Sequence, residues 1–316
     1  GYTMTNLSEF TFLSSDGKTQ LHGMLWEPEG VAVRAVLQIC HGVAEHIARY
    51  DGFARALNEQ GIVVAGHDHL GHGKSLPEGG TPVYFGQGST WNTVVDDIYI
   101  LHQRLKQRYP DAPLCIMGHS MGSFLTRTYL IRYPGTVKAA VIMGTGWQPQ
   151  AAITGGLALA NAIAAVSGEN ATSELVTELA FGSYNKLFAP NRTKVDWLSA
   201  DESNVDDYIA DPLCGADATV GLFRQMLHGI RFNQRQSHLR QMDREIPVLF
   251  VAGDKDPVGS CGKGVRQTYD AFRAAGMRDC TLKLYPGLRH EILNEKAYTA
   301  DITKNIEAWL LSRLEK

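Results

Sequence analysis

The residues of this 316-residue chain best suited to covalent chemistry begin with a serine between two glycines. Gly118-His119-Ser120-Met121-Gly122 fits G-x-S-x-G, which places a serine on a sharp strand-to-helix turn. A side chain at either glycine would collide with neighbouring elements. The apolar run Leu114-Cys115-Ile116-Met117 precedes the motif and an amphipathic stretch follows it, which is the setting such a turn needs. A serine hydroxyl is a weak nucleophile at neutral pH and requires a base. His290 lies in Tyr285-Pro286-Gly287-Leu288-Arg289-His290-Glu291, just beyond the last expected strand. Gly253-Asp254-Lys255-Asp256-Pro257 follows another expected strand and offers two carboxylates, Asp254 and Asp256, to orient that base. The chemistry implied is acyl transfer through Ser120. The developing oxyanion then needs donors, and the backbone N–H of Met121, next after the serine, is one candidate. The other is Val43 N–H, in the loop His41-Gly42-Val43-Ala44-Glu45-His46.

These groups meet only if strands deliver their loops to one edge of a sheet. Glu9–Leu13 and Gln20–Trp26, joined by Ser15-Asp16-Gly17-Lys18, read as a hairpin. Strands are then expected at Ala35–Cys40, Ile62–Ala65, Leu114–Gly118, Ala139–Met143, Val248–Ala252 and Thr281–Tyr285. Helices are expected at Tyr50–Asn58, Thr90–Tyr109, Met121–Tyr133, Gly264–Ala275 and Ala297–Leu314. This alternation predicts an α/β fold, a mostly parallel central sheet with helices on both faces. Between about Gly146 and Met242 the alternation lapses into helical periodicity. We therefore expect a core of residues 1–145 and 243–316, with a helical cap of 146–242 inserted in it. Leu157, Leu159, Ile163, Val166, Leu175, Leu179, Phe181, Leu187 and Phe188 give the insertion much apolar surface. Most should pack it onto the core, and some should line an acyl channel.

The net charge of -3 gives no reason to expect a nucleic-acid partner. Five cysteines at irregular spacings, without C-x-x-C, argue against a disulfide framework or zinc site and for a reducing compartment. No secretory leader is recognised, and a cytoplasmic protein is expected. Ala151–Val166 is the most apolar stretch, shorter than the roughly 20 residues of a spanning helix. It carries no Lys or Arg, so it has half of an interfacial signature, and transient contact of the cap with membrane or micelle stays open. His67, His69 and His72 form H-x-H-x-x-H, but no second ligand cluster completes a metal site, and structural hydrogen bonding is the better reading. His22, His102 and His238 are expected at the surface or in turns.

Together these segments resemble the monoglyceride lipase and lysophospholipase branch of the α/β-hydrolases. The resemblance rests on His41–His46, Gly66-His67-Asp68-His69-Leu70-Gly71-His72-Gly73-Lys74-Ser75, Gly118–Gly122, Gly253–Pro257 and Arg289-His290-Glu291. It spans both halves of the core, with the cap alike only in length and helical character. It implies Ser120 as nucleophile, His290 as base and Asp256, rather than Asp254, as the orienting carboxylate. It also implies Val43 and Met121 N–H as oxyanion donors, and no metal or organic cofactor. Many members carry a second glycine where this chain has Ala44. The implied activity is hydrolysis of monoacylglycerol or similar single-chain esters. The alternatives are a general carboxylesterase or lysophospholipase, a peptidase of the proline-iminopeptidase type, and a ligand-binding scaffold without catalysis.

Overall fold

Five short runs are buried at every position, as central strands covered on both faces must be. The computed structural model describes residues 4–315. Its strands are β1 (Met4–Leu13), β2 (Gln20–Glu29), β3 (Ala35–Cys40), β4 (Ile62–His67), β5 (Leu114–His119), β6 (Ala140–Met143), β7 (Val248–Gly253) and β8 (Cys280–Tyr285). They form one eight-stranded sheet in the order β1-β2-β4-β3-β5-β6-β7-β8. The first hairpin and the β2–β4 pair are antiparallel; every pairing from β4 to β8 is parallel.

Alternation along the strands sorts side chains to two faces. Val36, Cys40, Leu114 and Ile116 join one apolar cluster, while Leu37, Ile39, Cys115 and Met117 join the other. The first face is covered by α2 (Trp91–Arg108), α3 (Met121–Arg132) and later helices; the second by α1 (Asp51–Glu59) and the C-terminal helix Thr299–Leu314. The register then aligns the strand ends. Cys40 pairs with Gly118, His119 with Met143, and Gly253 with Tyr285. Five loops, after β3, β5, β6, β7 and β8, therefore leave the sheet at one carboxyl edge.

Between β6 and β7 the chain forms helices and no strand: α4 (Gln150–Ser167), α5 (Glu174–Thr177), α6 (Ser183–Lys186), α7 (Glu202–Ala210), α8 (Val220–Asn233) and α9 (Gln236–Leu239). Ile153, Leu157 and Ala160 make a narrow buried stripe on α4 at spacings of four and three. Gly156 lets α4 approach α8, since a Cβ there would lie 2.8 Å from Leu227.

Strand positions match the sequence expectation, but the hairpin is longer, running to Met4 and Glu29. Two histidines contradict it. His22 is buried between Asp68 (2.9 Å) and Glu9 (2.7 Å), and His102 is buried in α2. Neither position is readable locally. His22 is covered because β4 continues to His67 and brings Asp68 beside it.

Candidate active site

Ser120 closes β5 and opens α3, with φ +59° and ψ −122°, a left-handed backbone that a residue with a Cβ adopts only under strain. Packing enforces it. A Cβ on Gly118 would lie 2.1 Å from the Gly122 carbonyl oxygen, and one on Gly122 would lie 2.0 Å from the Cys40 carbonyl oxygen. Both glycines of the motif are thus required by close backbone approach rather than by flexibility. The turn is held further by Ser120 N–H donating to Met143 O at 3.0 Å and by Ser123 Oγ donating to Ser120 O at 2.6 Å.

Asp256 is fully buried. Its Oδ1 accepts Val258 N–H at 2.9 Å, capping the short turn Pro257–Gly259, and its Oδ2 accepts His290 Nδ1–H at 2.8 Å. That bond leaves Nε2 as the free nitrogen of a neutral His290. Asp254 is engaged elsewhere, its Oδ1 accepting Gly287 N–H at 2.7 Å to close the turn before His290. The two loops run in contact, since a Cβ on Gly253 would lie 2.0 Å from Leu288 O. Ser120 and His290 line one cavity of about 850 Å³. No hydrogen bond joins Ser120 Oγ to His290 Nε2 in this structure. Such a link commonly shortens when substrate binds.

Val43, Met121 and Ser120 line a second cavity of about 790 Å³. Among the described residues, no acceptor is paired with Val43 N–H or with Met121 N–H, the latter being the first residue of α3. Two unpaired donors beside the nucleophile, one at a helix N-terminus, suit an oxyanion. Ala44 adopts φ +56°, which accounts physically for glycine at this position in the resembled family. Its carbonyl is held by Gly215 N–H (3.0 Å) and Tyr208 O–H (3.3 Å).

A buried charge network supports these pieces. Glu45 Oε2 accepts from Gly42 N–H (2.7 Å), Tyr50 O–H (3.0 Å) and His119 Nδ1 (3.4 Å), while His119 Nε2 donates to His290 O at 3.0 Å. Burial works against charge on both partners. Their mutual hydrogen bond outweighs it; with the Arg49 guanidinium it holds Glu45 well below the carboxylate range, and with the charges of Glu45 and Glu291 it raises His119 above its ordinary value. Arg49 also grips Glu291 through two bonds of 2.8 and 2.9 Å. Glu45 thereby ties the oxyanion loop to the serine turn, and His119 ties that turn to the histidine loop. Sequence reasoning named neither role, although both residues lie inside the quoted motifs. Trp197, whose ring lies 5.1 Å from that of His290 with the planes tilted by 40°, has no sequence signal because it comes from the insertion, 93 positions away.

The H-x-H-x-x-H histidines stand on this side of the sheet but outside both cavities. His41 Nε2 accepts His69 N–H (3.0 Å), His69 Nε2 donates to His41 O (3.0 Å), and His72 Nδ1 donates to Leu70 O (2.9 Å). His67 has no hydrogen-bond partner on either nitrogen and packs edge-on against Phe12 at 5.2 Å.

Fold and site define a serine hydrolase of the α/β type. Residues 31–297 match the family described as serine aminopeptidase, S33, and the chain belongs to that family. It is similar to the monoacylglycerol lipase of Mycolicibacterium smegmatis, 31% identical over 97% of this chain and 98% of that protein. It is also similar to the human monoglyceride lipase, 28% identical over 95% of this chain and 89% of that protein. Among solved structures, a thermostable carboxyl esterase from Bacillus coagulans in complex with glycerol superposes with a TM-score of 0.91 at 26% identity, covering 98% and 99% of the two chains. The protein is thus a monoacylglycerol lipase-like ester hydrolase.

Proposed function

We propose that this enzyme hydrolyses monoacylglycerols or closely similar single-chain esters, with Ser120, His290 and Asp256 as its catalytic triad. Two cavities that meet at Ser120 carry the reading. One is lined by Phe124, Leu159, Leu179, Phe181, Leu187 and Leu227, apolar walls that suit an acyl chain. The other presents Glu174, Asn185, Asn191, Lys194, Asp217 and His290, polar groups that suit a hydroxylated leaving group. His290 Nε2 takes the Ser120 proton as Oγ attacks the ester carbon. The oxyanion meets Val43 and Met121 N–H. The alcohol leaves with the proton from His290, and water activated by the same imidazole releases the acid. Asp256 holds the Nδ1–H of His290 throughout. The insertion, residues 146–242, acts as the cap that encloses the chain.

A hydrolysis panel tests this. Monoacylglycerols of medium and long chain should outperform aryl acetates, lysophospholipids and aminoacyl arylamides in kcat/KM. Acetate esters in first place would refute the lipid assignment. Leading arylamide turnover would refute the esterase reading in favour of the peptidase that the family description names.

Transient contact with membrane or micelle through the insertion is a second part of the proposal. It is supported by Val166 and Leu175, which lie outside the apolar cavity and are 88 and 56% exposed. Liposome flotation with neutral vesicles should carry part of the protein to the top. Complete recovery at the bottom would remove this part. A cytoplasmic location is also proposed, supported by the five free thiols. Cell fractionation that places the protein in an oxidising compartment would overturn it.

A further inference from the structure

His46, Asp211 and Cys214 bring a nitrogen, an oxygen and a sulfur together, all within 4.8 Å of one another. The first ends the oxyanion loop; the others follow α7 in the insertion. We propose that these three side chains form a binding site for zinc or a similarly thiophilic divalent cation, separate from the catalytic machinery. Such a cation would staple the insertion to the loop that carries Val43.

The donor set favours this chemistry. Mixed imidazole, carboxylate and thiolate ligands are those zinc takes, and three protein ligands leave a fourth position for water. The geometry is close to a chelate. Asp211 and Cys214 stand three residues apart on a turn closed by Cys214 N–H to Asp211 O at 3.1 Å. Leu213 N–H donates to Asp211 Oδ1 at 2.9 Å, which orients Oδ2 toward His46 Nε2, 2.7 Å away. The cation would take the place of the proton between these two atoms and of the thiol proton on Cys214, releasing both to solvent. The side chains of His46 and Asp211 keep 10 and 26% exposure, so an ion has a path in. The next residue, Gly215, donates its N–H to Ala44 O at 3.0 Å. Occupancy would therefore reinforce an existing bond between the insertion and the oxyanion loop. The plainer role for these residues is a hydrogen-bonded cluster, with His46 and the Cys214 thiol both bonded to the Asp211 carboxylate.

Cobalt distinguishes the two roles. Titrating the purified protein with Co²⁺ should produce a thiolate-to-cobalt charge-transfer band that saturates at one equivalent and is displaced by Zn²⁺. Cys214→Ser should abolish the band, and Asp211→Asn should weaken binding by about tenfold or more. Cys261→Ser, which removes the exposed thiol elsewhere, should leave the band unchanged. Zinc should raise the melting temperature of the wild type and not of Cys214→Ser. No charge-transfer band, a band that survives Cys214→Ser, or one that disappears with Cys261→Ser would overturn the proposal.

Discussion

The helix that follows the nucleophile and the first helix of the insertion are both rich in small and apolar residues, yet their surroundings are opposite. Eleven of the twelve residues of α3 are buried, whereas only three of the eighteen of α4 are. α3 is therefore fixed by packing on all sides, and its N-terminus holds Ser120 in a strained turn with no freedom to relax. α4 is anchored along one stripe and presents most of its surface to the cavity and the exterior. The molecule thus separates two tasks. Ser120 is built on a helix buried almost throughout, and on the proposed function the choice of acyl group falls to elements that bury little of their surface.

The largest effects should come from the rigid half. Ser120→Ala should lower kcat by about a millionfold with an unchanged melting temperature. Loss of less than a few hundredfold would mean another nucleophile operates. Asp256→Asn should lower kcat by about ten-thousandfold, because the amide no longer fixes the His290 tautomer. Near-wild-type turnover would assign the orienting role to another carboxylate.

A third test concerns the stability of the core. Burial pushes the imidazoles of His67 and His72 down to about 3 and about 4, and lowers His41 and His69 as well. These rings stay neutral when folded but take up protons when unfolded, so their contribution is present above about pH 6.5 and is lost as pH falls toward those values. Each steepens the decline by up to about 1.4 kcal/mol per pH unit. Asp97 acts in the opposite sense. Burial raises it to about 6, so its contribution is present below the ordinary aspartate range and lost as pH rises through about 6. Denaturant unfolding from pH 7 to 5 should show a net loss for wild type and a smaller loss for His67→Phe, whose ring needs no proton. Equal slopes would contradict the assignment of neutral buried histidines.

The insertion should respond differently. Leu179→Trp, in the wall of the apolar cavity, should cut kcat/KM for long-chain esters by about ten- to a hundredfold while sparing acetates. A uniform loss across chain lengths would mean that the insertion supports the catalytic residues directly. The smallest effect belongs to Ala44→Gly. Relief of the left-handed strain, about 1–2 kcal/mol, is partly offset by the greater entropy of unfolded glycine. A gain below about 1 kcal/mol in denaturant unfolding is expected; a clear loss would show that the Ala44 methyl contributes packing.

Legibility from sequence follows the same division. The five buried strands announced themselves as apolar runs, and Gly118, Gly122 and Ser120 carried their own geometric requirement. Asp254 and Asp256 could not be separated by position alone. The structure separates them by partner, Gly287 N–H for the first and His290 for the second. What the sequence hid was long-range. His22 is buried by Asp68, Glu45 and His119 act through each other across 74 positions, and His46 meets Asp211 across 165. Local patterns record which face a residue occupies, not which distant side chain will satisfy it.

The central claim is that Ser120 is activated by His290 under the control of Asp256. A fluorophosphonate probe followed by peptide mass spectrometry tests it most directly. One adduct on Ser120 is predicted, with its rate reduced by at least about a thousandfold in His290→Ala. Labelling at another serine, or an undiminished rate in His290→Ala, would contradict it.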